Sequence, residues 1–255
     1  MTPKDHFSGQ AGDYARHRPR YPESLLGFVA SQARRKGRAW DCATGSGQCA
    51  VALAEHFENV IATDLSPSQL AHAEKHPRVT YRAATAEDSG VETSSVDAVT
   101  VAQAFHWFDF EKFYAEVRRV VRPGAVIALW CYGLHTIEPQ THPEIDRICR
   151  KFYDDIVGPY WPAEVKWVRE RYRTIPFPFE EVEAPSFRIE QEWTLSRVIG
   201  NFVSWSSTQY YRKDRGSDPI ELIRADLEKA WGDPEAAKKV SWDLYLRVGR
   251  VSSSG

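Results

Sequence analysis

A loop of small residues between two carboxylates has the composition of a site for a nucleotide-like ligand. A short apolar segment ends at Asp41, and Ala43, Gly45 and Gly47 follow it before a helical pattern begins. Glycine lets a ligand approach the backbone closely, and the first N–H groups of a helix have no partner within the helix. Strand, glycine loop and helix in this order therefore predict a site that binds electronegative ligand atoms.

A second carboxylate, Asp64, follows the next predicted strand, residues 59–63. It lies about 20 residues after Gly45, the spacing at which a second strand presents an acid to ribose hydroxyls. Residues 45–50 (GSGQCA) also fit the G-x-G-x-x-G/A pattern of dinucleotide-binding sites. Asp41, however, would repel a pyrophosphate, and a ligand with an ammonium group suits it better. Both cofactor classes remain open on these residues.

Hydrophobic patterns predict the elements that must position these residues. Strands are predicted at 38–41, 59–63, 79–82, 97–102, 125–130, 187–194 and 242–251, and helices at 22–35, from 49, from 67, and at 110–122, 143–157, 162–173, 195–206 and 218–231. Ser66 and Asp109 are expected to cap the helices that follow them. The short crossovers between the first five strands predict a parallel, doubly wound α/β sheet.

Composition and charge limit the class of protein. The chain has 255 residues, of which 42% are hydrophobic and 27% charged, as expected of a globular protein. A net charge of −2 provides no positive field for nucleic acid or a membrane surface. Arg16, Arg18 and Arg20 invite a nucleic-acid interpretation, but such a group beside acids is more typical of a solvated face. No apolar run approaches about 18 residues, so we expect no membrane span and no nucleic-acid partner.

Four cysteines, Cys42, Cys49, Cys131 and Cys149, fall within predicted strands and helices and lack the spacing of metal ligands. We expect them to be reduced and buried, which is typical of a cytoplasmic protein, and we predict no metal site. The polar N-terminus shows no secretory signal. A cytoplasmic protein is therefore expected, and we expect it to be a monomer or weak dimer.

Three motifs resemble a known family. Asp41-x-x-x-Gly45-x-Gly47 is similar to the first motif of the class I S-adenosylmethionine-dependent methyltransferases, with Ala43 where the family usually has its first glycine. Residues 118–125 (RRVVRPGA) resemble the family's R-V-L-K-P-G-G element. Residues 7–22 resemble F-x-x-x-A-x-x-Y-x-x-x-R-P-x-Y-P, the N-terminal signature of a methyltransferase type 11 group that includes the trans-aconitate methyltransferases.

The resemblance implies a Rossmann-like sheet of seven strands with an antiparallel last strand, and S-adenosylmethionine as the cofactor. Tyr14 and Arg18 would meet the methionine carboxylate of the cofactor, and Glu87 or a neighbouring amide would meet the adenine amino group. The alternatives are a packed N-terminal segment and a solvated loop acid. The cofactor-binding residues implied are Tyr14, Arg18, Asp41, Ala43, Thr44, Gly45, Gly47, Asp64, Leu65, Ala86, Glu87 and Gln103.

His106 and Trp107 are the candidate catalytic residues, because they follow the strand tip that faces the transferred methyl group in this family. Enzymes that methylate nucleobase or amide nitrogens usually carry an Asn/Asp-Pro-Pro-Tyr/Phe run there. Residues 102–105 read AQAF instead, so such targets are not expected. His106 could donate a hydrogen bond to an acceptor carboxylate or serve as a base toward a hydroxyl, and Trp107 could form a flat wall. Alternatively, both residues only anchor the next helix.

The expected domain is a single methyltransferase unit over residues 1–255, divided into an N-terminal cofactor-covering segment (1–36), a cofactor-binding core (37–132), an aromatic-rich helical cap (133–185) and C-terminal strands and helices (186–255). The cap is either an acceptor pocket or plain core. The resemblance favours a small-molecule acceptor, methylated on a carboxyl or hydroxyl oxygen of an organic or fatty acid. Two alternatives stay open, an NAD-dependent oxidoreductase and a non-catalytic adenosylmethionine-binding protein. An NAD-dependent oxidoreductase would be expected to have a Tyr-x-x-x-Lys pair or a positioned acid, and the sequence has no Tyr-x-x-x-Lys pair.

Overall fold

Five parallel strands form the centre of the fold, in a computed structural model that describes residues 19–251. They are β1 (Arg38–Cys42), β2 (Asn59–Asp64), β3 (Val79–Ala83), β4 (Val96–Ala102) and β5 (Val121–Tyr132). Their spatial order is β3-β2-β1-β4-β5, with every neighbouring pair parallel. The order reverses between β1 and β4, and ligands of such sheets bind in the crevice at that point, beyond the carboxyl ends of the strands. The predicted parallel, doubly wound sheet is confirmed.

The last strand, β9 (Lys238–Arg250), runs antiparallel to β5 and carries the rest of the sheet. The edge of β9 that pairs with β5 also pairs, nearer its start, with the short β6 (Thr136–Ile137). The opposite edge of β9 pairs with β8 (Phe187–Trp193) and with the short β7 (Glu180–Val182). The antiparallel last strand predicted from the sequence is confirmed. The two short strands were not predicted, because pieces of two and three residues have no readable periodicity.

Helices cover both faces of this sheet. They are α1 (Glu23–Gln32), α2 (Gln48–Leu53), α3 (Pro67–Ala71), α4 (Phe110–Val120), α5 (Pro143–Lys151), α6 (Val165–Arg169), α7 (Leu195–Val203), α8 (Ser206–Arg215) and α9 (Arg224–Trp231). Short 3-10 turns occupy Phe105–Trp107, Gly158–Tyr160 and Pro219–Leu222, and a π-helical turn, Phe152–Ile156, continues α5.

Several predicted helix boundaries are wrong. The helix predicted at 218–231 is split, because Asp218 caps a 3-10 turn by accepting from the Ile220 N–H at 3.1 Å and Ile223 leaves helical geometry with φ of −125°. The helix predicted at 162–173 is reduced to α6, and the chain then turns through Arg171 and Tyr172, whose φ values are +60° and +59°. Helix α8 was not predicted, since its polar sequence SSTQYYRKDR has no clear apolar stripe.

Two clusters of buried side chains lie on opposite faces of the sheet, because neighbouring residues of a strand point to opposite sides. Ala39 belongs to the cluster beneath α1, α2 and α7, and Trp40 to the cluster beneath α4. Trp40 is fully buried and its indole N–H donates to the Thr63 hydroxyl at 2.8 Å. A buried tryptophan removes about 150–250 Å² from water, so Trp40 contributes substantially to the stability of the fold.

His135 is a buried polar residue in the first of these clusters. Its side chain is 2% exposed and its ring stacks on Phe202, with ring centroids 5.6 Å apart and planes 13° apart. Neither ring nitrogen hydrogen bonds to another described residue. Burial lowers the pKa of His135 from 6.5 to about 3, so the imidazole is neutral in the folded protein.

Substitution His135→Leu should reduce the acid sensitivity of the fold. Between about pH 6.5 and pH 3 the unfolded chain binds a proton at this residue and the folded chain does not, so stability falls as the pH falls through 6.5. From pH 7 to pH 5 this residue should account for a loss of about 2 kcal/mol. Urea unfolding at the two pH values should show a smaller loss in the variant. An identical pH dependence in both proteins would contradict the prediction.

Candidate active site

The loop between β1 and α2 contains three residues with left-handed backbone conformation. Ala43, Gly45 and Gly47 have φ values of +54°, +54° and +79°. The left-handed region costs a residue with a Cβ atom roughly 1–2 kcal/mol, which explains why glycine is usual where this chain has Ala43. The Thr44 N–H donates to the carbonyl of Thr63 at 2.9 Å, so the loop is fixed to the end of β2.

Asp41 lies beneath this loop, completely buried. One carboxyl oxygen accepts from the Thr44 hydroxyl at 2.5 Å and the other from the Thr100 hydroxyl at 2.6 Å. Burial raises the pKa of Asp41, and these hydrogen bonds oppose the rise. Both oxygens of Asp41 thus bond to the protein and hold the loop, and a role of Asp41 toward a ligand ammonium group stays a prediction.

Asp64 joins the end of β2 to the same loop. Its carboxylate accepts from the Gly45 N–H and from the Ser66 N–H, each at 2.8 Å. Ser66 caps α3 as predicted, accepting from the Gln69 N–H at 3.3 Å, although its own N–H bonds to Asp64 and not to Gln69. A carboxylate can accept about four hydrogen bonds, so ribose hydroxyls could also donate to Asp64.

Open space adjoins this carboxylate. A Cβ atom built on Gly45 would meet nothing within 4 Å, and Leu65 is 41% exposed, one of three large apolar side chains so exposed among residues 19–251. On the other side of the loop, a Cβ atom on Gly47 would collide with the hydroxyl of Tyr81. Burial raises the pKa of Tyr81 to about 12, so the phenol stays protonated and donates to the carbonyl of Glu74. Tyr81 was not predicted as a site residue.

Ala86 and Glu87 lie in the loop after β3, at the same edge of the sheet. Ala86 is buried in the cluster beneath α4. The Glu87 carboxylate accepts from the Asp109 N–H at 3.0 Å, and Asp109 caps α4 as predicted by accepting from the Lys112 N–H at 3.3 Å. The structure thus gives Glu87 a structural contact with the start of α4, where the sequence suggested an adenine ligand or a solvated acid.

Gln103 follows β4, and its side chain extends the contact between the ends of β4 and β5. Its backbone is left-handed, with φ of +57°. Its side-chain amide donates to the Tyr132 carbonyl at 3.0 Å and accepts from the Tyr132 N–H at 2.8 Å. The side chain therefore bonds to Tyr132 as a neighbouring strand residue would, and it fixes the position from which His106 and Trp107 follow.

A cleft opens at this strand end and encloses about 670 Å³ when its open mouth is included. Its walls come from the end of β4, from residues 132–168 and from residues 201–242. The lining residues are Gln103, His106, Trp107, Tyr132, Gly133, Tyr153, Trp161, Val165, Val168, Asn201, Trp205, Ser206 and Trp242. None of them is Asp, Glu, Lys or Arg. The predicted cap at 133–185 thus supplies only part of the cover, and α7, α8 and β9 supply the rest.

His106 and Trp107 both line this cleft. Their ring centroids are 4.7 Å apart, and His106 is 6% exposed. The Nδ1 atom of His106 lies 2.8 Å from the hydroxyl of Tyr172, a residue that sequence reasoning missed because it lies 66 positions away. Burial lowers the pKa of His106 to about 3, so its imidazole is neutral near pH 7.

Tyr14 and Arg18 lie outside the described residues, and their contact with the methionine carboxylate stays a prediction. Within residues 19–251, no group of three or more His, Cys, Asp or Glu side chains could hold a metal ion. The same part of the chain contains no helix with the length and apolar character needed to cross a membrane.

The sheet order, the antiparallel β9 and the glycine loop at the β1–β4 crevice define a Rossmann-like methyltransferase fold. Residues 40–129 match the family model described as a methyltransferase domain. A "putative methyltransferase" of Dictyostelium discoideum is 31% identical over 96% of this chain and 95% of its own length. A solved "putative type II methyltransferase" from Anaeromyxobacter dehalogenans is 43% identical, with a TM-score of 0.85 over 92% of this chain and 98% of that one.

The chain belongs to the class I S-adenosylmethionine-dependent methyltransferases. It is an enzyme of this class, and S-adenosylmethionine is its cofactor. A relative in Saccharomyces cerevisiae, 28% identical over 59% of this chain and 55% of its own length, is named a "probable S-adenosylmethionine-dependent methyltransferase". This membership replaces the dinucleotide interpretation of the loop.

Substitution Gly45→Val should weaken binding of S-adenosylhomocysteine at least ~10-fold, or about 1.4 kcal/mol, because the new side chain would occupy the open space beside Asp64. Gly216→Val is the matched control, since Gly216 is also left-handed, at +67°, with no atom within 4 Å of an added Cβ. Gly216 ends α8 and lies outside the loop. Calorimetry should show weakened binding only for Gly45→Val. Equal affinity in both variants would show that the loop does not carry the cofactor.

Proposed function

We propose that the protein transfers a methyl group from S-adenosylmethionine to an oxygen of a small, largely apolar acceptor, a carboxyl or hydroxyl of an organic or fatty acid. The observation that supports this proposal best is the cleft at the end of β4, which has aromatic walls and, in the part of the chain that the structure describes, no Asp, Glu, Lys or Arg in its lining. Such walls suit an acceptor with an apolar body and few polar groups.

The cofactor site of this proposal consists of the glycine loop, Asp64 and Leu65. Gly45 leaves room for a ligand against the backbone, Asp64 offers a carboxylate to hydroxyls, and the exposed Leu65 offers an apolar surface to a flat base. S-adenosylmethionine brings a methyl group that is already activated on a sulfonium. The protein therefore has to position the acceptor and exclude water, and the transfer needs neither a metal ion nor a nucleophilic side chain of the protein.

The acceptor site consists of the aromatic side chains of the cleft. Trp161 packs against Trp205 and against Tyr153, with ring centroids 5.5 Å and 5.2 Å apart. Trp107 and Trp242 add further flat surfaces to the lining. Aromatic faces bury apolar area and attract cations, so they suit both an apolar acceptor and a neighbouring sulfonium.

The setting of the enzyme is part of the same proposal. We place one domain over residues 1–255, acting as a cytoplasmic monomer or weak dimer on a small molecule and not on nucleic acid. Four buried free cysteines support a reducing environment, and the net charge of −2 argues against a polyanionic partner.

A panel of small organic and medium-chain fatty acids and alcohols, assayed with S-adenosylmethionine labelled in its methyl group, tests the proposal. Labelled methyl esters or ethers should form, and mass spectrometry should place the label on oxygen. Turnover of amines, proteins or nucleic acids with no turnover of the panel would contradict the acceptor class. Binding of S-adenosylmethionine without turnover of any acceptor would favour a non-catalytic protein.

Substitution Trp161→Ala should raise the KM for the acceptor at least ~10-fold and leave the affinity for S-adenosylhomocysteine unchanged, because it removes a wall of the cleft. Trp167→Ala is the matched control. Trp167 is also half-buried and lies in α6, but it packs on Phe110 with ring centroids 5.7 Å apart and does not line the cleft. Steady-state kinetics of both variants should separate them. The same KM in both variants would remove Trp161 from the acceptor site.

A further inference from the structure

The loop after α6 holds Tyr172 in a conformation that residues with a Cβ atom rarely adopt. Arg171 and Tyr172 are consecutive left-handed residues, with φ of +60° and +59°. Such conformations persist only where surrounding contacts impose them, and they are found often at functional sites. Here the contact comes from Arg247, whose guanidinium donates to the carbonyls of Tyr172 and Ile175 at 3.0 Å and 2.7 Å.

The contacts of Arg247 hold the backbone from which the Tyr172 side chain reaches His106. Arg247 is itself anchored by an ion pair with Glu181. Tyr172 is completely buried, its ring meets Phe105 edge-on with centroids 5.6 Å apart, and its hydroxyl lies 2.8 Å from Nδ1 of His106. The hydroxyl thus contacts His106, which lines the cleft, while Tyr172 itself is not among the described lining residues.

The direction of this hydrogen bond follows from the burial of the hydroxyl. Tyr172 is completely buried, so a phenol proton without an acceptor would be an unpaired buried polar group. Burial raises the pKa of Tyr172, so the phenol keeps its proton. Among residues 19–251, Nδ1 of His106 is the acceptor within reach of that proton. The Nδ1 atom of a neutral imidazole that accepts a hydrogen bond carries no proton, so the proton resides on Nε2.

We propose that Tyr172 is a positioning residue that holds His106 as an Nε2–H donor toward the cleft, and that the acceptor is consequently a carboxylate and not a hydroxyl. This inference rests on the proposed function and narrows it. With Nδ1 committed to Tyr172, Nε2 is the ring nitrogen left for a ligand.

The chemistry of the two acceptors explains the choice. A carboxylic acid is already ionised near pH 7, so one carboxylate oxygen forms the new bond to the methyl carbon as the carbon–sulfur bond breaks. The electron pair of that bond stays on sulfur, the products are a methyl ester and S-adenosylhomocysteine, and no proton moves. The Nε2–H of His106 can meanwhile donate to the second carboxylate oxygen.

A hydroxyl acceptor would have to lose its proton to a base. Among residues 19–251, the lining of the cleft contains no Asp, Glu or Lys, and an Nε2 atom that bears a proton cannot accept another while its imidazole stays neutral. His106, with a pKa of about 3, is also too weak a base for an alcohol.

Nitrogen-15 NMR of the imidazole of His106 tests the arrangement without turnover. The signal is assigned by its loss in His106→Gln, and the spectrum at pH 7 reports which nitrogen carries the proton. The parent should show the neutral Nε2–H tautomer, and Tyr172→Phe should show a measurable gain of the Nδ1–H tautomer. An Nδ1–H tautomer or a charged imidazole in the parent overturns the proposal.

A kinetic cycle tests whether Tyr172 acts through His106. Tyr172→Phe should lower kcat about 10-fold, or about 1.4 kcal/mol, with the KM for S-adenosylmethionine unchanged. In His106→Gln, whose amide N–H replaces the donor, the same Tyr172→Phe change should lower kcat less than ~2-fold. Equal losses in both backgrounds would show that Tyr172 is merely structural.

Tyr114→Phe is the matched control, because it also removes a phenol hydroxyl of this aromatic cluster, one that donates to the Pro176 carbonyl at 2.7 Å. It should change neither kcat by more than ~2-fold nor the His106 spectrum.

Matched acceptors complete the test. Octanoic acid with 1-octanol, and phenylacetic acid with 2-phenylethanol, differ at the reacting group while keeping the apolar body. The acids should be methylated at least ~10-fold faster, and faster methylation of the alcohols overturns the proposal. If neither member of a pair reacts, the acceptor class of the proposed function fails, and the NMR experiment still decides the role of Tyr172.

Discussion

The carboxyl group of Asp41 connects the three elements on which the site depends. It is completely buried at the end of β1, and it accepts from Thr44 in the glycine loop and from Thr100 in β4. A buried carboxyl group without hydrogen-bond partners would destabilise the fold by several kcal/mol. Separation of the loop from β4 would break these hydrogen bonds, so the carboxyl group holds the two together. The sequence places this acid where the spatial order of the strands reverses. The same residue therefore fixes the crevice and the backbone that lines it.

The two halves of the site are built differently. On the proposed cofactor side, the contacts lie near two neighbouring strand ends, since Asp64 bonds to the loop after β1 and to Ser66 just after β2. On the proposed acceptor side, the walls come from segments far apart in sequence, from Gln103 to Trp242. Gln103 joins the two halves, because its amide bonds to Tyr132 and thereby fixes the strand end from which His106 follows.

The sequence predicts the first half better than the second for a physical reason. Buried strands carry apolar runs, and parallel strands bring their carboxyl ends to one edge, so the neighbourhood of Gly45, Asp64 and Gln103 follows from local pattern. The direction of a side chain does not follow from such patterns. Glu87 bonds to the start of α4 and Asp41 turns inward, and neither orientation could be predicted from spacing. The contact of Tyr172 with His106 depends on a left-handed turn fixed by Arg247, which no periodicity reveals.

The absence of Asp, Glu, Lys and Arg among the described residues that line the cleft bears on how a turnover ends. Transfer of a methyl cation to a carboxylate removes one positive and one negative charge together, and a thioether and an ester remain. Before the step, a weakly polar surrounding strengthens the attraction between the two opposite charges. After the step, the methyl ester has lost the charge of its reacted group, and no Asp, Glu, Lys or Arg among the described lining residues attracts it. Departure of the ester then depends on apolar contact, and longer apolar acceptors should leave more slowly as esters than shorter ones.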